Sequence, residues 1–504
     1  MQAPQAVIEI GSTGIRLLVA ENGNILDRSD FPVNIGRDVF TSGSISRDTL
    51  LNALHILSRY DEQLKGYGIN AFETIVIGTA AIREAKNRDP FVDRVKVKTG
   101  FTVRVIDGIE ENRLMYLAVT NCLKEASISM RQNNSIILEI AGGATEMMLM
   151  ESGHMKAAHS LRLGTVITEQ QIRAITGNLD DAHRFIEEYI QNTKNALDIE
   201  INLNQIKQFI ALGGDMKLAA IFAGKPISAF LWEIKRNDFE NFVEEVKHYT
   251  PEECMAKFKV SYNDSTTFQI SLIAYKLFLR LTNVDSIIVP ETNIREGVLI
   301  SYTNKQDPNL QNDFNSQIIA SATSLLRKYS GDEKHADFVR TMSLRIYDTM
   351  QNELGLPSHA RTILEVSAIL HDIGMFIRAQ DHNLHSKYII QNSEIFGLTH
   401  DETNMVALIA SYHKGSRMPQ DDKEILLLPR SSRLTILKLT AILRIADALD
   451  RSHQQKLTNF TVNFARDTIT FRVKGFNNLT LEKLAIKEKG DLFENVFGYT
   501  IVLA

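Results

Sequence analysis

The chain has 504 residues, of which 44% are hydrophobic and 23% charged, and its formal net charge is −5. This length exceeds what one hydrophobic core supports and predicts three or four domains, while the negative charge argues against non-specific binding of nucleic acid. Its two cysteines, Cys122 and Cys254, form no CxxC motif, which excludes a disulfide framework or a thiolate zinc site. Without a signal-peptide pattern or an apolar run of about 18 residues, the sequence predicts a cytoplasmic protein that does not enter a membrane and binds no specific nucleic acid.

The first predicted element is a β-hairpin, AVIEIGSTGIRLLVAENGNI at residues 6–25. Two β-prone runs flank a loop of small residues, and an Asn-Gly pair closes the second run. The same order recurs in SIILEIAGGATEMMLMESGHM at residues 135–155, where Glu139 takes the place of Glu9. A repeat of this length indicates two lobes built on one plan.

Each hairpin combines the features of a phosphate site. The small residues of the loops, 11–14 and 141–144, allow backbone N–H groups to turn inward and form a concavity that binds anions. Glu9 and Glu139 end the strands that precede these loops, and such a carboxylate can hold a divalent cation. Two such hairpins facing each other would bind a phosphate chain from both sides.

Strands alternate with helices through the rest of both lobes, which predicts an α/β fold with ligands at the carboxyl ends of the strands. In the first lobe the two further strands lead into GTAAIREA, which contains Arg83, and DGIEENR, which contains Glu111. In the second lobe the strands lead into Gly213-Gly214-Asp215 and into the segment NIREGVL, residues 293–299.

From about residue 316 the pattern changes to long amphipathic helices that carry metal-ligand side chains. Imidazole and carboxylate groups from separate helices can surround one or two divalent metals. The candidate ligands are His335, His371, Asp372, His382, His385, His413 and Asp447. From residue 459 the pattern becomes β-like again, with a helix at 481–489.

The hairpins and the segments GTAAIREA, DGIEENR, ALGGDMKLAA and NIREGVL resemble, in this order, the exopolyphosphatase and guanosine pentaphosphate phosphohydrolase family. The resemblance implies two actin-like (ribonuclease H-like) lobes at residues 1–124 and 125–305. The histidine and aspartate succession resembles the HD phosphohydrolase pattern and implies an all-α HD-like domain at 312–455, followed by a small α/β domain at 456–504. It also implies a homodimer.

The activity implied by this resemblance is hydrolysis of the terminal phosphoanhydride of polyphosphate or of guanosine pentaphosphate, with Mg²⁺ or Mn²⁺. Carried over residue by residue, Glu111 is the general base and Arg83 the phosphate-binding arginine. Glu9 and Glu139 are the expected metal ligands of the lobes. The implied phosphate-binding residues are Ser12, Thr13, Gly142, Gly143, Thr145, Gly213 and Gly214.

The sequence departs from the family pattern at the phosphate loops. The family has Asp where this chain has Glu9 and Glu139, and hydroxyl side chains where it has Gly14 and Ala144. Asp215 places a negative charge where the family has Thr. The lobes are therefore expected to form an active enzyme with altered substrate preference, or a non-catalytic sensor of polyphosphate or alarmone.

The helical region leaves a further alternative open. Its candidate ligands form a complete set while the lobe loops are altered, so metal-dependent phosphohydrolysis in the HD-like domain, with a second divalent-metal site, is also compatible with the sequence. The sequence alone does not separate polyphosphate from guanosine pentaphosphate as substrate.

Overall fold

The computed structural model describes residues 4–174, 179–303, 308–357, 359–414, 419, 422–457, 460–464, 468–473 and 479–503. The chain divides into two compact units, unit 1 at Met1–Asn312 and unit 2 at Asp313–Ala504. Both predicted lobes belong to unit 1, and the predicted helical and small α/β domains belong to unit 2. No helix among these described residues is long and apolar enough to cross a membrane.

Lobe I is built on a five-stranded sheet in the order β3-β2-β1-β4-β5. β1 pairs antiparallel with β2, and β2 with β3, whereas β4 and β5 run parallel to β1. The strands are β1 (Gln5–Ile10), β2 (Gly14–Glu21), β3 (Asn24–Pro32), β4 (Ile75–Gly78) and β5 (Val103–Val105), and the helices are α1 (Ile35–Ser42), α2 (Arg47–Gly66), α3 (Ala80–Glu84), α4 (Arg88–Thr99) and α5 (Gly108–Glu125).

Lobe II is built on a seven-stranded sheet in the order β10-β11-β12-β9-β6-β7-β8. Its strands are β6 (Ser135–Ile140), β7 (Thr145–Glu151), β8 (His154–Leu161), β9 (Gln208–Leu212), β10 (Lys225–Ser228), β11 (Leu231–Lys235) and β12 (Ser286–Pro290). The helices are α6 (Thr165–Arg173), α7 (Leu179–Glu200), α8 (Gly214–Ala223), α9 (Arg236–Lys247), α10 (Pro251–Phe258), α11 (Tyr262–Arg280) and α12 (Ile294–Thr303), with a 3₁₀ turn at Leu203–Gln205.

The two hairpins share their local geometry as well as their sequence pattern. Gly11 N–H donates to the carbonyl of Gly14, and Ala141 N–H to that of Ala144, both at 2.9 Å. The turns match too, because Gly23 has φ of +80° and Gly153 has φ of +79°, a left-handed conformation that glycine adopts without steric penalty. The predicted duplication is therefore present at the level of backbone hydrogen bonds.

Unit 2 combines helices with one small sheet. Its elements are α13 (Pro308–Lys328), α14 (Glu333–Thr349), α15 (Gln351–Leu354), α16 (Ala360–Leu370), a 3₁₀ turn (Ile373–Phe376), α17 (His382–Gln391), α18 (His400–Ser411), α19 (Lys423–Leu426), α20 (Arg430–Ala448), β13 (Phe460–Phe464), β14 (Thr468–Val473), α21 (Thr480–Lys489), α22 (Asp491–Phe497) and β15 (Thr500–Leu503). The sheet has the order β13-β14-β15. Its Ile469 and Phe471 pack in the same apolar cluster as Leu443 of α20, so the small sheet and the helices share one core.

These elements confirm the predicted fold class, two α/β lobes followed by a helical region and a small α/β sheet. The four domain boundaries themselves remain predictions.

Candidate functional site

The two hairpin loops meet where lobe I faces lobe II. A Cβ atom at Gly142 would lie 3.0 Å from the Cβ of Ser12 and 3.3 Å from the Cγ2 of Thr13. A Cβ atom at Gly143 would lie 2.7 Å from the Phe40 ring. Only glycine permits this approach without displacing the opposite loop. Four predicted phosphate-binding residues, two from each lobe, are therefore brought together at one place.

Two other predicted phosphate-binding residues, Thr145 and Gly213, have structural roles in their loops. The hydroxyl of Thr145 is buried and donates a 2.5 Å hydrogen bond to the carbonyl of Leu163, so it fastens the loop rather than facing the cleft. Gly213 has φ of +100° just before α8, which opens at Gly214. Its left-handed conformation lets the chain turn from β9 into that helix. Burial raises the pKa of the neighbouring Asp215 to about 6, so this carboxyl is partly neutral near pH 6.

Glu9 lies between two arginines that the sequence analysis did not assign to the site. Its Oε1 is 3.4 Å from Arg16 Nη1, and its Oε2 is 3.5 Å from Arg295 Nε. Arg16 also binds Asp30 at 2.9 Å. Arg16 follows the first loop by two residues, and Arg295 belongs to the segment NIREGVL near the other end of unit 1. Nothing local in the sequence connects the two.

Glu139 is the corresponding carboxylate of lobe II and is held in a different electrostatic environment. Burial, together with the negative charges of Glu9 and Glu111, raises its pKa to about 7. Arg16 and Arg295 oppose the shift without cancelling it. Three acidic side chains from both lobes therefore act on one another electrostatically, as expected where their charges converge in a partly desolvated cleft.

Glu111 and Arg83 form a direct ion pair. Arg83 Nη1 lies 2.5 Å from Glu111 Oε1 and donates a second hydrogen bond of 2.7 Å to the carbonyl of Ile106. Burial, with a smaller contribution from the charge of Glu9, raises the pKa of Glu111 to about 7 although Arg83 opposes the shift. A carboxyl poised near neutral pH can accept a proton from water. The two predicted catalytic residues are in contact.

The neighbouring Glu110 is held quite differently. Arg113 binds its carboxylate at 2.6 Å and Arg104 at 3.3 Å. Although burial raises the pKa of Glu110, these two arginines outweigh it and lower the pKa below its usual value. Glu110 is thus a permanently ionised structural partner, and the acid available for proton transfer is Glu111.

Glu146 is a further acidic residue of the cleft that the sequence analysis missed. It lies on β7 directly opposite Glu139 and is 3% exposed. Its carboxylate accepts hydrogen bonds from Asn112 Nδ2 at 2.8 Å and from Ser160 Oγ at 2.6 Å. Because Asn112 follows Glu111 on α5, Glu146 connects the second hairpin to the helix of the predicted base. The sequence feature that could have indicated Glu146 is its position shortly after the second hairpin loop, in AGGATE at residues 141–146.

At the two hairpin loops Glu9 and Glu139 offer a cation carboxylate oxygen ligands. Mg²⁺ prefers carboxylate oxygen, and its charge would relieve the mutual repulsion that raises the pKa of Glu139. Glu9 and Glu139 therefore fit such an ion by donor type. Compact groups of three or more His, Cys, Asp or Glu ligand atoms, all within 4.8 Å of one another, occur among the described residues only in unit 2.

In unit 2 the predicted metal ligands converge from five elements. One group is His335, His371 and Asp447, and a second is Asp372, His382 and His413. Nε2 atoms face each other within each group, at 3.2 Å for His335 and His371 and at 3.1 Å for His382 and His413. His453, from the segment after α20, stacks on the His335 ring with 3.8 Å between centroids and forms a third group with His335 and Asp372.

His385 is the one predicted ligand of unit 2 that none of these groups contains. It lies three residues after His382 on α17, which is about 4.5 Å further along the helix axis. Its Nδ1 is buried and has no hydrogen-bond partner among the described residues.

Two residues that the sequence analysis did not assign hold this cluster in place. Asp450 accepts a 2.8 Å hydrogen bond from His335 Nδ1. Lys489 of α21 forms a short ion pair with Asp447 Oδ2, so that Oδ1 of Asp447 faces the imidazoles. Burial lowers the pKa of His371 to about 4 and keeps it neutral, whereas the pKa of Asp447 is held well below its usual value by Lys489 and His335 despite burial.

Comparison with known proteins identifies the family. The sequence profile of the Ppx/GppA phosphatase family matches residues 18–306, and the profile of Ppx/GppA phosphatase domain III matches residues 319–492. A guanosine-5'-triphosphate,3'-diphosphate pyrophosphatase from Photobacterium profundum is 22% identical over 87% of this chain and 86% of its own length. A protein of the same name from Aliivibrio fischeri is 22% identical over 97% of this chain and 96% of its own length.

Among solved structures, an exopolyphosphatase from Cytophaga hutchinsonii has a TM-score of 0.54 and 20% identity, covering 60% of this chain and 98% of its own. At this identity the likeness shows the fold alone, that of two actin-like lobes. The chain belongs to the Ppx/GppA phosphatase family, as the profile match over more than half of its length shows.

Proposed function

We propose that the chain removes the terminal phosphate of guanosine pentaphosphate, and of inorganic polyphosphate less readily, in the cleft between the lobes. The observation that carries this proposal is the partly buried pair of Arg83 and Glu111, in which a carboxyl of pKa about 7 lies within electrostatic reach of Glu9 and Glu139 at the two phosphate-type loops. Cys122 and Cys254 are buried free thiols, which supports a reducing cytoplasm as the place of action.

Glu111 acts as the general base in this proposal. It accepts a proton from a water molecule, whose oxygen attacks the terminal phosphorus while the bridging P–O bond breaks. The products are inorganic phosphate and the shortened chain. Arg83 keeps Glu111 ionised above neutral pH and holds its Oε1, leaving the other carboxylate oxygen for the water. The donors of the two loops and the guanidinium groups of Arg16 and Arg295 face the incoming negative charge.

Glu9 and Glu139 are the side chains that would hold Mg²⁺ or Mn²⁺ in the cleft. Such an ion supplies positive charge that stabilises the phosphoryl group as its bond breaks. Glu146 fixes the orientation of α5 through Asn112, and so determines where Glu111 meets the water.

We propose guanosine pentaphosphate as the preferred substrate because the relatives named guanosine-5'-triphosphate,3'-diphosphate pyrophosphatase match both units of this chain. The alignments with the relatives from Photobacterium and Aliivibrio cover 87% and 97% of this chain, whereas the alignment with the exopolyphosphatase from Cytophaga covers 60%. Both substrates present the same reacting bond, a terminal phosphoanhydride. The proposed preference therefore concerns the groups that bind the rest of the molecule.

The test is the rate of phosphate release from each substrate by wild type, Glu111→Gln and Glu125→Gln. Glu125 is the matched control because it lies at the far end of the same helix and is exposed. The Glu111 variant is expected to lose about 10²- to 10⁴-fold, the usual contribution of a general base, while the control retains the wild-type rate. Equal rates in all three proteins would remove Glu111 from the mechanism.

Two other results would replace this proposal. Micromolar binding of guanosine pentaphosphate without phosphate release, with either Mg²⁺ or Mn²⁺, would identify a sensor. Loss of release in Asp372→Asn together with full activity in Glu111→Gln would assign the reaction to unit 2.

A further inference from the structure

The third glycine loop, Gly213-Gly214-Asp215, leaves the same edge of the lobe II sheet as the second hairpin loop. β9 pairs parallel with β6, and Leu212 lies opposite Glu139. Adjacent strands are about 4.8 Å apart, so the two loops begin side by side. The hydroxyl of Tyr275 joins them, because it accepts a 2.8 Å hydrogen bond from the N–H of Ile140 and donates one of 2.5 Å to the carbonyl of Leu212. A molecule that is bound at the second hairpin loop and extends across β9 therefore reaches the third loop.

Open space adjoins this third loop. A Cβ atom at Gly214 would meet no described atom within 4 Å, and a Cβ atom at Gly213 would meet only the hydroxyl of Tyr275, at 3.7 Å. At the second hairpin loop, in contrast, a Cβ atom at Gly143 would lie 2.7 Å from the Phe40 ring. The third loop thus has room beside it for part of a ligand.

The carboxylate of Asp215 carries a charge that no ion pair neutralises. Among the described residues no lysine or arginine forms an ion pair with it, although the neighbouring hydroxyl of Ser271 and the charge of Arg16 favour its ionised form. Burial, with a smaller contribution from Asp264, raises its pKa to about 6, so the group is ionised at pH 8. Ser271 Oγ is itself buried and makes no hydrogen bond of good geometry with any described residue. Both side chains therefore retain hydrogen-bonding capacity for a ligand.

This carboxylate also changes what the start of α8 can bind. Gly213 is the N-cap of the helix, and Asp215 is the acidic residue of its first turn. A helix N-terminus carries partial positive charge and attracts phosphate, but here the chain's own carboxylate already supplies the negative charge. A phosphate at this place would be repelled, whereas an N–H or O–H donor would be bound.

We propose that Asp215 selects the substrate of the cleft, by accepting hydrogen bonds from the nucleoside of guanosine pentaphosphate and by repelling the additional phosphates of polyphosphate. This inference rests on the function proposed above and names the residue that determines the preference. Guanosine offers donors at N1 and at the exocyclic amine of the base. It also offers the ribose 2′-hydroxyl, since the 3′-hydroxyl carries the diphosphate. Polyphosphate has none of these donors, and each of its units adds negative charge.

The first test compares kcat/KM for guanosine pentaphosphate and for linear polyphosphate at pH 8, with wild type, Asp215→Asn, Asp215→Thr and Asp238→Asn. Asp238 is the matched control, because it is an exposed aspartate in the first turn of another helix of lobe II, α9. Both Asp215 variants should shift the ratio of the two kcat/KM values towards polyphosphate by about 10- to 100-fold, the usual contribution of a hydrogen bond to a charged group. The control should keep the wild-type ratio.

The ratio separates selection of the substrate from stabilisation of the helix. A carboxylate in the first turn of α8 also stabilises that helix through its dipole. If Asp215 had only this role, its replacement would change both kcat/KM values by the same factor. An unchanged ratio in the two Asp215 variants would therefore overturn the proposal.

The second test identifies the donor and begins with the wild-type protein. The inosine analogue of guanosine pentaphosphate lacks the exocyclic amine, and the 2′-deoxy analogue lacks the ribose hydroxyl. Wild type should hydrolyse one of these analogues about tenfold less efficiently than guanosine pentaphosphate, and Asp215→Thr should not discriminate against it. Equal efficiency of wild type with all three nucleotides, or the same discrimination in Asp215→Thr, would overturn the contact with the nucleoside.

Binding is measured in the Glu111→Gln background, so that the result does not depend on turnover. Calorimetric titrations with guanosine pentaphosphate and with polyphosphate, in the presence of Mg²⁺, should show the same change of preference when Asp215→Thr is added to Glu111→Gln. This change, found together with equal phosphate release by wild type and Glu111→Gln, would support the role of Asp215 and remove only Glu111 from the proposed reaction. An unchanged binding preference would overturn the role of Asp215 and leave the test of Glu111 unaffected.

Discussion

Replacing Glu139 by Gln is expected to stabilise lobe II at alkaline pH and to leave its stability nearly unchanged at acidic pH. Glu139 is partly buried near the end of β6, and the charges of Glu9 and Glu111 oppose its ionisation. Glutamine has nearly the same shape and cannot ionise. The substitution therefore removes the repulsion and keeps the packing.

The magnitude follows from the pKa. In the folded chain the pKa of Glu139 rises from 4.5 to about 7. Between these values the folded state binds more protons than the unfolded chain, so the free energy of unfolding falls as pH increases. Each pH unit in this window is worth about 1.4 kcal/mol, which gives an upper limit of roughly 3 kcal/mol above pH 7. Since Glu9 and Glu111 still repel each other in the variant, the expected gain at pH 8 is about 1–3 kcal/mol.

The assay is urea denaturation followed by tryptophan fluorescence at pH 5 and pH 8. The chain has one tryptophan, Trp232, which lies on β11 of the same sheet as Glu139 and packs against the core of lobe II. Its emission therefore reports this lobe. Glu151→Gln is the control, because Glu151 lies on the neighbouring β7 and its side chain is 50% exposed. Equal effects of Glu139→Gln at both pH values, or destabilisation at pH 8, would refute the reasoning.

Three further substitutions test other parts of the account. Arg83→Gln removes the cation that lowers the pKa of Glu111, so the pH at which the rate of phosphate release rises should become higher. An unshifted pH profile would show that Arg83 does not set the pKa of the base. Gly297→Ala would place a Cβ atom 2.0 Å from the carbonyl of Leu114 on α5, and thermal unfolding should show a loss of about 1–3 kcal/mol, whereas an unchanged melting temperature would show that α12 and α5 can separate freely. Tyr275→Phe leaves a buried backbone amide of β6 without its 2.8 Å partner and should cost about 1–3 kcal/mol in the same assay, an expectation contradicted by wild-type stability.

The lobe architecture could be predicted because its signals are local. A small-residue loop between two β-prone runs, closed by a turn with glycine at positive φ, needs only about twenty consecutive residues to be seen. The pairing of Arg83 with Glu111 was likewise accessible, since both follow neighbouring parallel strands of one sheet.

The electrostatic interactions of the cleft could not be predicted, because the residues that interact there are far apart in the chain. Arg295 reaches Glu9 from the far end of unit 1, and Glu146 reaches Asn112 across the two lobes. Nor could the pattern show that the hydroxyl of Thr145 would be used by a backbone carbonyl. Such contacts depend on tertiary packing.

In unit 2 the ligand types were predictable and their arrangement was not. Residue identities predicted seven candidates, but only the folded chain shows that His385 belongs to none of the compact ligand groups. The role of Lys489 depends on the packing of α21 against α20, which places its ammonium group on Asp447. Ring directions, set by the hydrogen bonds from Nδ1, appear only in three dimensions.

The most direct test of the central claim is single-turnover phosphate release from guanosine pentaphosphate by wild type, Glu111→Gln and Asp372→Asn. If the cleft between the lobes is the site of hydrolysis, Glu111→Gln should release phosphate about 10²- to 10⁴-fold more slowly than wild type, and Asp372→Asn should match wild type. A fast Glu111→Gln variant beside an inactive Asp372→Asn variant would contradict the claim.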